Sequence, residues 1–368
     1  MVVGEGWNRV NSSPIWKMGR SVMCRLFIPL ALVLIGTGCE RFLSRTQSKL
    51  SNILAPVNPN AGPMQPVLVE SGFSSTRVAI LDVDGLILNT PFVGPMSVGE
   101  NPVAVFREKL QAIECDPCVK AVVLRINSPG GGVAACQAMR RDLEKFKQRT
   151  HLPVVACLMD MGTGGAYYLA SAADSMVAGQ ATVTGGIGVL LNLFNLRDLM
   201  GQFNIIPQGV KSGEYVDIGS SARSLEPAEK ALLQVMADEF HKQLQTDITQ
   251  SRSRIDLAGG TTFDGRIFTG NQALTRGLVD QIGDLDDAIH LATQLSCPVG
   301  GGLNGVRPQV ILYRRTNDPA NSIYAITANI PLQGAGLLPS LPGLDRSKLP
   351  TFLSLWQPDL TMERLGGK

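Results

Sequence analysis

Ala121-Val122-Val123-Leu124-Arg125-Ile126-Asn127-Ser128-Pro129-Gly130-Gly131-Gly132 is the stretch on which the fold turns. Its first half is an almost unbroken apolar run rich in β-branched residues, the pattern of a strand buried on both faces in a parallel sheet. Its second half is a cluster of chain breakers. Directly after it, apolar residues return at helical spacing, at Val133, Cys136, Met139, Leu143 and Phe146. Strand, glycine turn and helix form half of a crossover unit.

The same order recurs on both sides. Upstream, Arg77–Leu88 (RVAILDVDGLIL) reads as a strand or hairpin arm closing at Gly85, and Pro102–Glu114 places Val103, Phe106, Leu110 and Ile113 at helical spacing. Downstream, the apolar run Pro153–Leu158 enters Gly162-Thr163-Gly164-Gly165, and Ala166–Ala173 continues as a helix of small residues. Ser175–Val177 is a short strand and Thr184–Val189 (TGGIGV) a glycine turn. Glu226-Pro227 opens a helix with Pro at its first position, its apolar stripe running from Leu232 to Ile248 and suited to a neighbouring element or a second subunit. Thr269 to Gly277 is a short capped helix ended by glycine, and Leu278-Val279-Asp280 enters a further strand. Alternating strand and helix predicts an α/β fold with crossover connections.

Chemistry in such a fold belongs at the strand-to-helix turns, where backbone N–H groups lack partners. Gly130, Gly131 and Gly132 are therefore a candidate oxyanion hole, with a tight turn needing positive φ as the plainer alternative. Phosphate binding is disfavoured: the chain has neither GxxxxGK[ST] nor a GxGxxG followed by a suitably placed acidic residue.

The 368 residues carry 33 Lys and Arg against 31 Asp and Glu, a net charge of +2 that gives no broad field for nucleic acid. A charged share of 17% beside 44% apolar residues excludes a disordered chain, and 39 glycines favour sites built from backbone. The N-terminus reads as an address: Lys17, Arg20 and Arg25 precede the uncharged Leu26–Gly38, whose thirteen residues are too few for a membrane-spanning helix of about 20. Ile35-Gly36-Thr37-Gly38-Cys39 is similar to a bacterial lipobox, with Cys39 as the lipidated residue. An ordinary cleaved signal or an uncleaved short anchor is the alternative. Residues 1–39 are thus expected to be signal and lipobox, and 40–76, polar and Pro-containing, a linker. Residues 77–295 are the main domain. The last stretch, 296–368, is one strand (Gln309–Tyr313) and an irregular tail rich in Pro, Gly and Leu. Cys115-Asp116-Pro117-Cys118 has redox or metal spacing but no second ligand pair, and we expect a local disulfide or a plain turn.

Arg125–Gly132, Pro153–Val155 leading to Gly165-Ala166-Tyr167-Tyr168, Ala172-Ala173-Asp174, Thr184–Val189, Lys211–Gly219 (KSGEYVDIG), Asp264–Gly270 (DGRIFTG) and Ala273–Gly283 together resemble the signal peptide peptidase A (protease IV) family. The resemblance runs in unbroken order over about residues 77–295. It implies the ClpP/crotonase fold of stacked strand-turn-helix units, usually assembled in rings, and a serine endopeptidase with no cofactor and no metal. In that family a Ser in A-S-G-G-Y-Y is activated by a Lys in G-x-x-K-D-I, and the SPGG turn and the glycine after the nucleophile, here Gly165, supply oxyanion donors. Counted without gaps, the Ser position falls on Gly164 and the Lys position on Val216. Glycine has no nucleophile and valine takes no proton. Thr163 and Lys211 are the substitutes to weigh, with Ser128, Ser171 and Ser212 behind them; Tyr167 and Tyr168 are either groove or core.

The expected function is a membrane-tethered member of that family that binds extended peptides or signal-peptide remnants without cutting them. It would meet membrane lipid through its N-terminus in the cell envelope, its main domain outside the cytoplasm. It would assemble with itself or with an active paralogue, and bind no nucleic acid. The alternatives are a working serine- or threonine-type endopeptidase with an unaligned nucleophile, or crotonase-like acyl-thioester chemistry.

Overall fold

The apolar runs read as strands lie side by side in one sheet. The computed structural model describes residues 62–72, 76–91, 93–94, 97–98, 100–257, 260–296, 307–315, 321–325 and 352–355. In chain order these form β1 (Met64–Glu70), β2 (Arg77–Asp84), β3 (Val93–Gly94), β4 (Ser97–Val98), α1 (Pro102–Glu114), β5 (Val119–Ser128), β6 (Gly130–Gly132), α2 (Val133–Thr150) and β7 (Val154–Thr163). Then follow α3 (Gly165–Ala170), β8 (Ser175–Ala178), β9 (Val183–Gly185), α4 (Arg197–Gln202), α5 (Pro227–Ser251), β10 (Ile267–Thr269), α6 (Gly270–Thr275), β11 (Gln281–Ile282), α7 (Leu285–Ser296), β12 (Gln309–Arg315) and β13 (Leu353–Leu355).

The sheet runs β1-β12-β2-β5-β7-β8-β11, with β9 attached to the end of β7 and β10 to β9. From β12 to β11 every neighbour is parallel, as crossovers require. Successive residues of a strand point to opposite faces. Val78, Ile80, Val123, Val155 and Val177 therefore pack on Leu285, Ala288, Ile289 and Ala292 of α7. Ala79, Leu81, Val122, Leu124 and Ile126 pack on Phe106, Leu110 and Ile113 of α1 and on Cys136, Met139, Leu143 and Phe146 of α2. Both faces are covered, which is why β5 reads as continuous apolar sequence. α1 starts and ends at the predicted residues because Asn101 accepts from the amides of Val103 and Ala104 and Pro102 fits the first turn. Around α6, Thr269 and Gln272 cap each other and Gly277 takes φ 69° just past the end.

Three expectations need correction, and one pair of alternatives is decided. Met64–Glu70, placed in the linker, is an edge strand: β1 pairs antiparallel with β12, Val67 and Val69 pack on the core, and Leu68 between them faces outward. Thr184–Gly185, read as part of a turn, lies in β9, whose parallel pairing with β7 carries that strand on through Thr163. The tail from 316 is not irregular throughout, since Leu353–Leu355 form β13. Cys115 and Cys118 are free thiols, so the Cys-Asp-Pro-Cys segment is a turn, in which Asp116 accepts from the Cys118 amide and pairs with Arg77. The signal segment, the lipobox and Cys39 lie outside the described residues.

Candidate active site

The Gly130–Gly132 segment owes its composition to backbone crowding. Gly130 takes φ 105°, a conformation costly for any residue with a Cβ. A Cβ on Gly131 would stand 2.0 Å from the Ile87 carbonyl oxygen. Ile87 lies alongside as a parallel bridge, donating its amide to Gly130 O and accepting from the Gly132 amide, each at 2.9 Å. The Gly130 amide is occupied as well, by Ser128 Oγ at 3.1 Å. Of the three expected oxyanion donors, Gly130 and Gly132 are therefore committed elsewhere. The Gly131 N–H alone is turned away from Ile87, because backbone groups alternate along an extended segment.

Opposite this segment is the elbow between β7 and α3. Gly164 caps α3 with φ 53° and ψ −122°, accepting from the Tyr168 amide and donating its own N–H to Gly185 O at 2.8 Å. That combination lies outside even the left-handed helical region open to other residues. Gly165 follows because Cys136 of α2 leans on it: a Cβ there would meet Cys136 Sγ at 2.3 Å. Thr163, the candidate substitute nucleophile, is fully buried, and its hydroxyl donates to Pro129 O at 3.0 Å. It ties the elbow to the glycine segment.

Lys211 and Val216 belong to the arm between α4 and α5. Val216 is 69% exposed. Both hydrogen-bond partners of the Lys211 ammonium, Glu214 O and Asp217, lie in the arm itself. Arg223 forks onto Asp217 and onto Glu229. Hydrogen bonds from Arg223 first, and from Lys211 second, hold the Asp217 carboxyl well below the usual carboxylate range. Asp217 thus braces the arm. Tyr167 and Tyr168 are core residues rather than groove walls: Tyr167 is fully buried with its hydroxyl on Leu278 O, and the Tyr168 hydroxyl donates to Asp247.

Sequence reasoning missed the segment that lies in the groove. β13 pairs antiparallel with β6, setting Leu353 opposite Gly132, Ser354 opposite Gly131 and Leu355 opposite Gly130. On its other edge, Leu353 exchanges two backbone hydrogen bonds with Leu190, at 2.8 and 3.0 Å, and the Val133 amide donates to Phe352 O at 3.3 Å. Since Leu353 spends its N–H and C=O on Leu190, those of Ser354 face Gly131. A Cβ on Gly130 would stand 2.2 Å from the Ser354 carbonyl oxygen and 2.8 Å from Gly165 N, and one on Gly165 would stand 3.1 Å from that oxygen. A peptide carbonyl is thus seated between the glycine segment and the elbow. Leu353 shares a cluster with Leu86 and Leu88, and the Phe352 ring meets Phe240 edge-on at 5.0 Å. The alternation in Leu353-Ser354-Leu355, within a Pro-rich tail, was the available sign. The site can grip an extended backbone on both edges and polarise one carbonyl, and the residue at the elbow tip has no side chain.

Residues 146–297 match the profile of Peptidase family S49. An Enterococcus faecium chain named as a signal peptide peptidase SppA is 29% identical over 221 residues, covering 60% of this chain and 64% of that one. The chloroplastic serine protease SPPA of Arabidopsis thaliana is 31% identical over 221 residues, 59% of this chain and 32% of that one. A Synechocystis chain named as a protease is 32% identical over 207 residues, 56% of this chain and 71% of that one. The chain therefore spans less than two thirds of the Enterococcus relative and about a third of the Arabidopsis one.

Proposed function

The chain belongs to peptidase family S49, the signal peptide peptidase SppA family, and from that premise we propose that it binds extended peptides in the groove between β6 and Leu190 without cleaving them. The observation that carries this reading is Gly164. It stands at the tip of the β7–α3 elbow, beside the cradle that holds a carbonyl oxygen, and offers no atom beyond its Cα. An acyl-transfer site needs a nucleophile with a base in reach. Thr163, next to it, is buried and bonded to Pro129 O, and Lys211 is engaged in the arm. What remains, Gly131 N–H and Gly165, is the part of an oxyanion hole that also serves plain binding of a carbonyl.

The same reading puts the chain at a membrane through lipidated Cys39, with the folded part held outside the cytoplasm. Among the described residues no helix is long and apolar enough to cross a bilayer. Phe203, Ile206 and Val216 on the arm, with Leu232 and Val235 on α5, are exposed apolar side chains that suit contact with another copy or with an active paralogue.

A labelled signal-peptide-like substrate tests this. Fluorescence anisotropy should report binding to the purified chain while mass spectrometry finds the peptide intact after prolonged incubation. Cleavage that Thr163→Ala abolishes would overturn the reading and make Thr163 the nucleophile.

A further inference from the structure

Resting on that groove reading, we propose that Phe352–Leu355 is the resident occupant of the peptide groove, a strap on the same chain that external peptides must displace. Three observations identify it. Its backbone pairs on both edges, with Gly130–Gly132 and with Leu190, which is how an added strand is held in a slot. Phe352 is 9% exposed against Phe240, and Leu353 is 5% exposed against Leu86 and Leu88, so two successive side chains each have a partner surface. The Ser354 carbonyl occupies the cradle itself.

Ser354 also shows why the strap can be displaced. Its side chain is fully buried, yet its hydroxyl finds no hydrogen-bond partner among the described residues. A buried hydroxyl without a partner is costly. The strap is thus a poorer ligand than the same backbone with a small apolar residue at this point. The groove selects an uncharged extended peptide with an aromatic residue, then a branched aliphatic, then a small apolar one. An attached occupant competes at an effective concentration on the order of millimolar, so release of the strap should raise apparent affinity for an external peptide about tenfold, given a dissociation constant of about 100 μM for the strap sequence as a free peptide.

The test uses a fluorescent synthetic peptide with the sequence of residues 350–357, its serine replaced by alanine, and the full chain in three forms. Leu353→Asp, which puts a charge against Leu86 and Leu88, should bind the peptide about tenfold more tightly than the unmodified chain. Ser354→Ala, which removes the orphan hydroxyl and seats the strap more firmly, should bind it about fivefold more weakly. These shifts have opposite signs, so misfolding of a variant cannot produce both. Equal binding by all three forms overturns the strap and leaves the groove reading intact. No binding by any form, with each showing an unchanged folded circular-dichroism spectrum, overturns the groove reading itself. Binding by the unmodified chain that strengthens on dilution, as a dimer dissociates in light scattering, overturns the intramolecular strap in favour of a second copy's tail.

Discussion

Replacing Gly164 with alanine should destabilise the fold, although the change adds a single methyl group. The cost is set by the backbone. At φ 53° and ψ −122° the residue occupies a strained conformation for any side chain with a Cβ, and holding one there costs about 1–3 kcal/mol. The elbow cannot relax to escape it. The Gly164 amide is tied to Gly185 O, its carbonyl takes the Tyr168 amide, and Gly165 behind it is held against Cys136. With about 2–4 °C of melting temperature per kcal/mol for a domain of this size, the midpoint should fall by about 4–8 °C at the middle of that range. Gly201 supplies the control. It lies in α4, where an added Cβ meets no heavy atom of the described residues within 4 Å, so alanine there should stabilise by about 0.5–1 kcal/mol through helix propensity. Urea denaturation of both variants measures the difference. If Gly164→Ala is as stable as Gly201→Ala, the conformational account of the elbow is wrong. Gly164→Ser should show the same loss and, with valine still at 216, no peptide cleavage.

Two further outcomes follow from the buried groups. Burial first, and the neighbouring Asp82 second, push the Asp84 carboxyl up to about 6 against the partial relief from Arg125; the folded state therefore holds this proton more tightly than the unfolded chain, and the associated stability is full below about pH 4 and lost as pH rises through 6. Asp84→Asn should accordingly be near neutral at pH 4 and stabilising at pH 8, by at most about 3 kcal/mol at about 1.4 kcal/mol for each tenfold in proton affinity, as read by urea midpoints at the two pH values. Burial also raises the Cys136 and Cys157 thiols to about 12, whereas Cys115 is exposed. Iodoacetamide at pH 8, mapped by mass spectrometry, should modify Cys115 within minutes and reach Cys136 and Cys157 only after unfolding.

The parts of the fold legible in the sequence are those encoded by one segment alone. β5, the glycine segment and α2 each carry their own period, and Asn101, Thr269 and Gly277 mark helix ends within a few residues of themselves. What stayed hidden depends on partners distant in sequence. Met64–Glu70 is a strand because the edge of β12 was open to it, and Leu353–Leu355 because Gly130–Gly132 and Leu190 offered two unpaired edges. Tyr167 and Tyr168 are core because Leu278 O and Asp247 receive their hydroxyls.

The candidate site divides along the same line. Three consecutive glycines announce a turn, but not that Gly131 alone keeps its N–H for a visitor, since that follows from Ile87 and Ser128 claiming the two on either side. The glycines are there for reasons other than chemistry: one is forced by its φ, one by the Ile87 carbonyl, and Gly165 by Cys136. A scaffold whose glycines are fixed by packing keeps its cradle when the residue at the elbow tip changes. The groove can therefore go on gripping peptides with glycine at 164, and its own tail, carrying a buried hydroxyl that pairs with none of the described residues, is a fitting tenant for a slot that must also open.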